Sequence, residues 1–239
     1  LTKGAYLTME AELLLKYEFR EPANYLTILK AIAERHTSLA EIIQQSGLDR
    51  SMISKYLSVL TKLHIVREEL PVTAIPGSRK RRYRISDPYL SFWFRFIYPE
   101  MNAIEARQTS QILERVQNNF PRFSGAIFEL LTEHLIRERI FFPDIPISEF
   151  GRWWHNETEI DLVGISESED MMLCVECKWK DLTKNESIVI LEKLEEKSRL
   201  IRWRNEKRKT ICALIGRKIA GKDEIRKAGY EVYDLADIN

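Results

Sequence analysis

Residues 159–179 read EIDLVGISESEDMMLCVECKW: two apolar runs of strand composition flank a polar turn, with acidic residues inside both runs. A hairpin pairing Ile160–Ile165 with Met171–Lys178 around Ser166–Asp170 centres between Ser168 and Glu169, which sets Asp161 opposite Glu176. Directly opposed like charges destabilise an antiparallel pair, so the arrangement calls for a cation between them. Strand alternation puts Leu173, Val175, Cys177 and Trp179 on one face and Cys174, Glu176 and Lys178 on the other. Two carboxylates and a lysine are thereby expected at one place. Glu159 shares a face with Asp161 and is a reserve acid.

Outward from this stretch the order is αβββαβαβ. A helix over 123–140 precedes strands at 147–154, 159–165 and 171–178. Thr183 with Glu186 forms the capping box of a helix running to about Trp203, followed by a strand at 210–215, a short helix at 223–228 and a last strand at 230–233. Cys174 and Cys177 fall on opposite faces of their strand, which speaks against a shared zinc or disulfide.

The amino-terminal half has a different character. Tyr25, Ile28, Leu29 and Ile32 lie at helical spacing, and Ser38 with Glu41 caps a second helix that stops at Gly47. After a turn, a third helix faces Ile53, Leu57, Leu60 and Leu63 inward and Arg50, Ser51, Ser54 and Lys55 outward, the order of a helix-turn-helix. A two-stranded wing follows, with Arg79, Lys80, Arg81, Arg82 and Arg84 at its tip and second strand, where they are expected to contact phosphates. Tyr89, Phe92, Trp93 and Phe96 then recur at the spacing of a buried helix face. The expected divisions are a tail at 1–22, a winged helix-turn-helix at 23–100, a helical connector at 101–120 ending before Pro121, and an α/β domain at 121–239.

The net charge of the 239 residues is only +1, so a nucleic-acid partner rests on these local clusters rather than on overall charge. No run of eighteen apolar residues and no secretory leader pattern occur, which predicts a cytoplasmic chain without a membrane span. The first residue is Leu1 rather than Met, which reads as a fragment or processed product.

Phosphodiester hydrolysis uses a cation to offset phosphate charge and place water, and carboxylate oxygens suit Mg²⁺. Asp161, Glu176 and Lys178 have the chemistry for it. Asp161, a β-turn-β connection and Glu176-x-Lys178 within this element order resemble the PD-(D/E)XK, or restriction-endonuclease-like, superfamily, although Ile160 stands where that family often has proline. The resemblance implies Asp161 and Glu176 as ligands of Mg²⁺ or Mn²⁺, Lys178 positioning water, and Glu129 on the preceding helix as a further metal ligand.

YEFREPANY, GLDRSMISKYLSVL, DPYLSFWFRFIYPE and EIDLVG with VECKW together resemble the C-terminal half of archaeal AAA+-type ATPases, a winged helix followed by a nuclease-like domain. This resemblance implies an upstream ATPase partner, with residues 1–22 the remnant of its lid. No G-x-x-x-x-G-K-[ST] occurs, so ATP chemistry belongs outside these residues. The alternative is a non-catalytic module that keeps the fold for DNA or protein contact.

Overall fold

The structure is a computed structural model and describes residues 6–19 and 22–238. The chain forms two units, one of residues 1–69 and 79–120, the other of residues 70–78 and 121–239.

In the first unit, α1 (Tyr6–Glu18), α2 (Pro22–Ala33), α3 (Leu39–Ser46) and α4 (Arg50–Lys62) precede the wing strands β1 (Val66–Glu69) and β2 (Arg82–Ile85). The α3 capping box is present: the Glu41 N–H donates to Ser38 Oγ, and Glu41 Oε2 accepts from the Ser38 N–H. Gly47 ends α3 at φ 68°, a left-handed conformation that glycine adopts without a Cβ penalty. Ile53, Leu57 and Leu60 of α4 are buried with Ile28, Leu29 and Ile42. Leu63, expected inward, is instead 43% exposed, because α4 ends one residue before it. The Tyr83 N–H donates to the Thr37 carbonyl and Ser38 bridges Arg82, so the segment before α3 joins the wing as a minimal third strand.

The described part of the tail is α1, which buries Ala11 and Leu15, with Phe19 just beyond it, in the same core; residues 1–5, 20 and 21 lie outside the described residues. The aromatic stretch departs from a plain helix. α5 (Pro88–Phe92) passes into a π turn over Trp93–Ile97 and a 3₁₀ turn over Tyr98–Glu100 before α6 (Met101–Glu105). A π turn inserts one residue into the helical repeat, and Phe94 is buried beside Trp93 and Ile97.

α7 runs unbroken from Thr109 to Arg137 with Pro121 inside it, so the expected stop before the proline is not made. Proline removes one helical hydrogen bond, to residue 117, and Gln117 lies on an exposed stretch where water can replace it.

The second unit is a five-stranded sheet between helices: β3 (Glu149–His155), β4 (Thr158–Ser166), β5 (Met171–Leu182), β6 (Lys209–Ile219) and β7 (Glu231–Tyr233), in that spatial order. β3, β4 and β5 pair antiparallel, whereas β6 and β7 extend the sheet in parallel through α8 (Lys184–Ser198) and α9 (Lys222–Lys227). Alternation along β5 divides the core. Leu173, Val175 and Cys177 pack with Phe128, Leu135 and Ile136 of α7, whereas Met172 and Cys174 pack with Leu191 and Leu194 of α8. Residues 70–78, between the two wing strands, group with this unit, and the Val72 N–H donates to the Arg152 carbonyl of β3 at 2.9 Å.

Candidate functional site

The β4–β5 hairpin has the register expected from its turn, Ser166 facing Met171 and Leu162 facing Val175. One step further Asp161 stands at the level of Glu176, and there the ladder ends. Asp161 Oδ2 instead accepts the Cys177 N–H at 2.8 Å, so a side chain fills the place of a ladder bond.

A β-bulge produces this. Gly151 pairs with Val163 and Trp153 with Ile160, leaving Arg152 alone opposite Asp161 and Leu162. The extra residue resets the alternation: Ile160 and Val163 share the α8 face while Leu162 turns to the α7 face. Asp161 lies in the irregular step between them.

Glu176 follows from the β5 alternation and is nearly buried, and its carboxylate is shared by two ammonium groups. Lys178 Nζ donates to Oε1 at 2.7 Å, and Lys197 Nζ donates to Oε2 at 3.4 Å. Lys178 Nζ also lies 3.8 Å from Asp161 Oδ2. The structure thus brings Asp161, Glu176 and Lys178 together.

Glu129 takes a different position. Its Oε2 accepts from Arg152 Nη2, a buried guanidinium, although its charge still acts on Asp161. Among the described residues no group of three or more His, Cys, Asp and Glu side chains is gathered to hold a metal ion. The three-carboxylate set expected from the sequence is therefore not assembled, because Glu129 is turned to Arg152. Glu159, the reserve acid, is exposed on β4 opposite Trp154.

The electrostatics reflect crowding. Burial first, then the charges of Glu176 and Glu129, push the Asp161 carboxyl up to about 6 against the opposing pull of Lys178 and the Cys177 N–H. Burial lowers the Lys178 ammonium, but Glu176 and Asp161 outweigh it and leave the group above its ordinary value. Burial foremost raises the Cys177 thiol, which faces Thr132 and is an inert core group. An open cleft of about 510 Å³ begins at Lys178 and continues along Lys180, Leu182, Asn185, Val189 and Ile190.

Lys197 and Arg152 were not read from the sequence as members of this site. Lys197 follows Leu194 by three residues, so it lies beside the sheet-facing stripe of Leu191, Leu194 and Ser198. A lysine at the edge of an apolar stripe was the available signal. Arg152 has a similar one, a basic residue beside two buried tryptophans, Trp153 and Trp154.

In the first unit, Arg50, Ser51, Ser54 and Lys55 all lie exposed along α4. Arg79 and Lys80 are exposed, and Arg82 is half-buried. Two of the wing arginines have acidic neighbours on β1: Arg81 pairs with Glu68 at 3.0 Å, and Arg84 with Glu69 at 2.9 Å. Residues 66–85 hold six basic side chains against two acidic ones, so the wing remains basic.

The IclR helix-turn-helix domain family matches residues 23–70. The amino-terminal part is thus similar to an IclR-type helix-turn-helix. The matched region includes α3, α4 and β1, the helix order of a helix-turn-helix.

A second family, DUF234, described as "Archaea bacterial proteins of unknown function", matches residues 93–190, a span that contains Glu129, Asp161, Glu176 and Lys178 but not Lys197. An uncharacterized protein of Methanocaldococcus jannaschii, MJECL04, is 33% identical over 237 residues, which is 98% of this chain and 52% of that protein. The chain thus spans about half the length of this curated relative. No solved structure matches the chain. Among the described residues no helix is long and apolar enough to cross a membrane.

Proposed function

We propose that the chain is a DNA-binding protein whose second unit carries a metal-dependent, PD-(D/E)XK-type nuclease site, working as the C-terminal part of a longer ATPase. The observation that carries the nuclease reading is the pair of nearly buried carboxylates, Asp161 and Glu176, held around one ammonium, Lys178.

The donor set fits Mg²⁺ or Mn²⁺, which bind through one or two carboxylates and retain several waters. Asp161 and Glu176 would hold the ion; Glu129 would act through water or by its charge, since its carboxylate is engaged with Arg152. When bound, the ion supplies charge neutralisation at phosphate oxygens and water of lowered pKa. Lys178 Nζ, between the two carboxylates, is placed to orient water or to donate to an oxygen that gains charge. Lys197 Nζ restrains Glu176 through Oε2 and so fixes the direction of the other oxygen. ATP binding is assigned to a segment outside residues 1–239, and the same reading places the protein in the cytoplasm with DNA as its partner.

A second reading has a specific observation in its favour. Lys178 and Lys197 on Glu176, with Arg152 on Glu129, match three cations to three acidic groups without a metal. Such a network would serve a non-catalytic DNA- or protein-binding module.

Metal titration separates the two. On the nuclease reading, millimolar Mg²⁺ or Mn²⁺ raises the melting temperature of the wild type but not of Asp161→Asn, and plasmid or linear DNA is cut by the wild type alone. Cleavage of equal strength in Asp161→Ala and Lys178→Ala, or no response of the wild type to either ion, assigns the cluster to the second reading.

A further inference from the structure

β5 continues past the end of its pairing with β4, and its last residues pair with β6 alone. A second bulge occurs there. Lys178 pairs with Gly216 and Asp181 with Lys218, so Trp179 and Lys180 share a single opposite residue, Arg217. Bulges next to a site re-aim side chains, and this one accompanies an indole that is 38% exposed directly after the Glu176-x-Lys178 pair.

The Trp179 ring is held rather than loose. Phe128 packs against it with ring centroids 5.2 Å apart, and the Arg217 guanidinium lies 5.7 Å from its centroid. Arg217 is itself fixed by Asp181, to which its Nε donates at 2.8 Å. The platform adjoins the site on both sides. Phe128 immediately precedes Glu129, and Lys178 immediately precedes Trp179. In the adjoining chain Lys180 and Arg217 are paired with Glu186 and Asp181, and Lys184 and Lys218 stand exposed beyond them. A fixed, part-exposed aromatic ring in basic surroundings has the chemistry to hold an unpaired nucleobase on its π-face while the cations follow the phosphates.

We propose that Trp179, braced by Phe128 and Arg217, is a stacking site for an unpaired base, and that the second unit therefore engages single-stranded or frayed nucleic acid. This rests on the nuclease reading for its biological sense but is measured independently of it.

The test uses the full chain, with chelator present so that no cutting occurs, and fluorescence anisotropy of a labelled short oligothymidine and of an abasic oligomer of equal length. Trp179→Leu keeps apolar bulk against Phe128 but has no π-face, and Trp179→Phe restores an aromatic ring. Trp179→Leu is expected to weaken oligothymidine binding by roughly tenfold, Trp179→Phe to recover most of it, and neither to alter abasic binding. Oligothymidine affinity unchanged in Trp179→Leu, or equal losses on both probes, overturns the proposal. The response of the Trp179→Leu protein to Mg²⁺ without DNA is read separately: its presence or absence bears on the Asp161 and Glu176 pair and leaves the stacking result intact.

Discussion

Replacing Asp161 by asparagine is expected to stabilise the metal-free protein at pH 8. In the folded chain the Asp161 carboxyl is moved from its ordinary 3.8 to about 6, the net result of burial and acidic neighbours against Lys178 and the Cys177 N–H. Each pKa unit corresponds to 1.36 kcal/mol, so ionising this group in the native state costs about 3 kcal/mol relative to the unfolded chain. The sign follows from proton uptake. Between pH 3.8 and about 6 the native state holds a proton that the unfolded state has released. The stabilisation is therefore complete below the unfolded value and is lost as pH rises through the folded one.

Asparagine cannot ionise, and its Oδ1 can still accept from the Cys177 N–H. Asp161→Asn should thus exceed the wild type by about 3 kcal/mol at pH 8 and match it at pH values below the unfolded carboxyl. Urea unfolding with chelator at the two pH values measures this, with equal m-values as the check that compactness is unchanged. An Asp161→Asn protein less stable than wild type at pH 8, or a difference that does not depend on pH, would refute the reasoning. On the nuclease reading, adding metal should narrow or reverse the order, because an ion at a hundred times its Kd stabilises the protein that binds it by about 2.7 kcal/mol and the wild type is then the one that binds.

Other perturbations address separate parts of the molecule. Glu129→Ala leaves the buried Arg152 guanidinium without its carboxylate and is expected to lower stability by about 3–5 kcal/mol; a loss under 1 kcal/mol in urea unfolding would show that water replaces the pair. In the wing, Arg79→Ala with Lys80→Ala should reduce the slope of log K against log salt by about 0.9 for each phosphate no longer neutralised, whereas an unchanged slope removes these two side chains from the interface. Gly216→Ala would place a Cβ 2.8 Å from Ile219 Cγ1, a buried side chain, so a loss of about 1–3 kcal/mol is expected, read as a lower urea midpoint.

Much of the second unit could be read from local rules because those rules and the tertiary structure agree. Thr183 and Glu186 make the capping box of α8, and the turn at 167–170 fixes the register that brings Asp161 to the level of Glu176. What escaped the reading depends on groups distant in sequence. Lys197 is 21 residues from Glu176 and reaches it only because α8 packs on that face of β5. Both bulges break the period of two on which strand faces were inferred, and nothing local announces the extra residue at Asp161–Leu162 or Trp179–Lys180. The continuation of α7 through Pro121 likewise opposes a local preference.

The charge count sharpens the choice between the two functions. From the sequence, opposed carboxylates at 161 and 176 call for a cation between them. With Lys197 and Arg152 in place, three cations face three acidic groups, so the overall charge of the cluster requires no metal. Lys197 lies on Glu176 and Arg152 on Glu129, whereas Asp161 has, among the described residues, Lys178 at 3.8 Å and the Cys177 N–H. Its carboxyl is the member pushed up to about 6, so neutrality of the whole cluster does not relieve it. A network built for stability alone would gain from asparagine at position 161, which keeps the acceptor for Cys177 and removes the charge. Aspartate there is the choice that a cation on the open side of the carboxylate would reward, and the paired measurement of Asp161→Asn with and without Mg²⁺ isolates that difference.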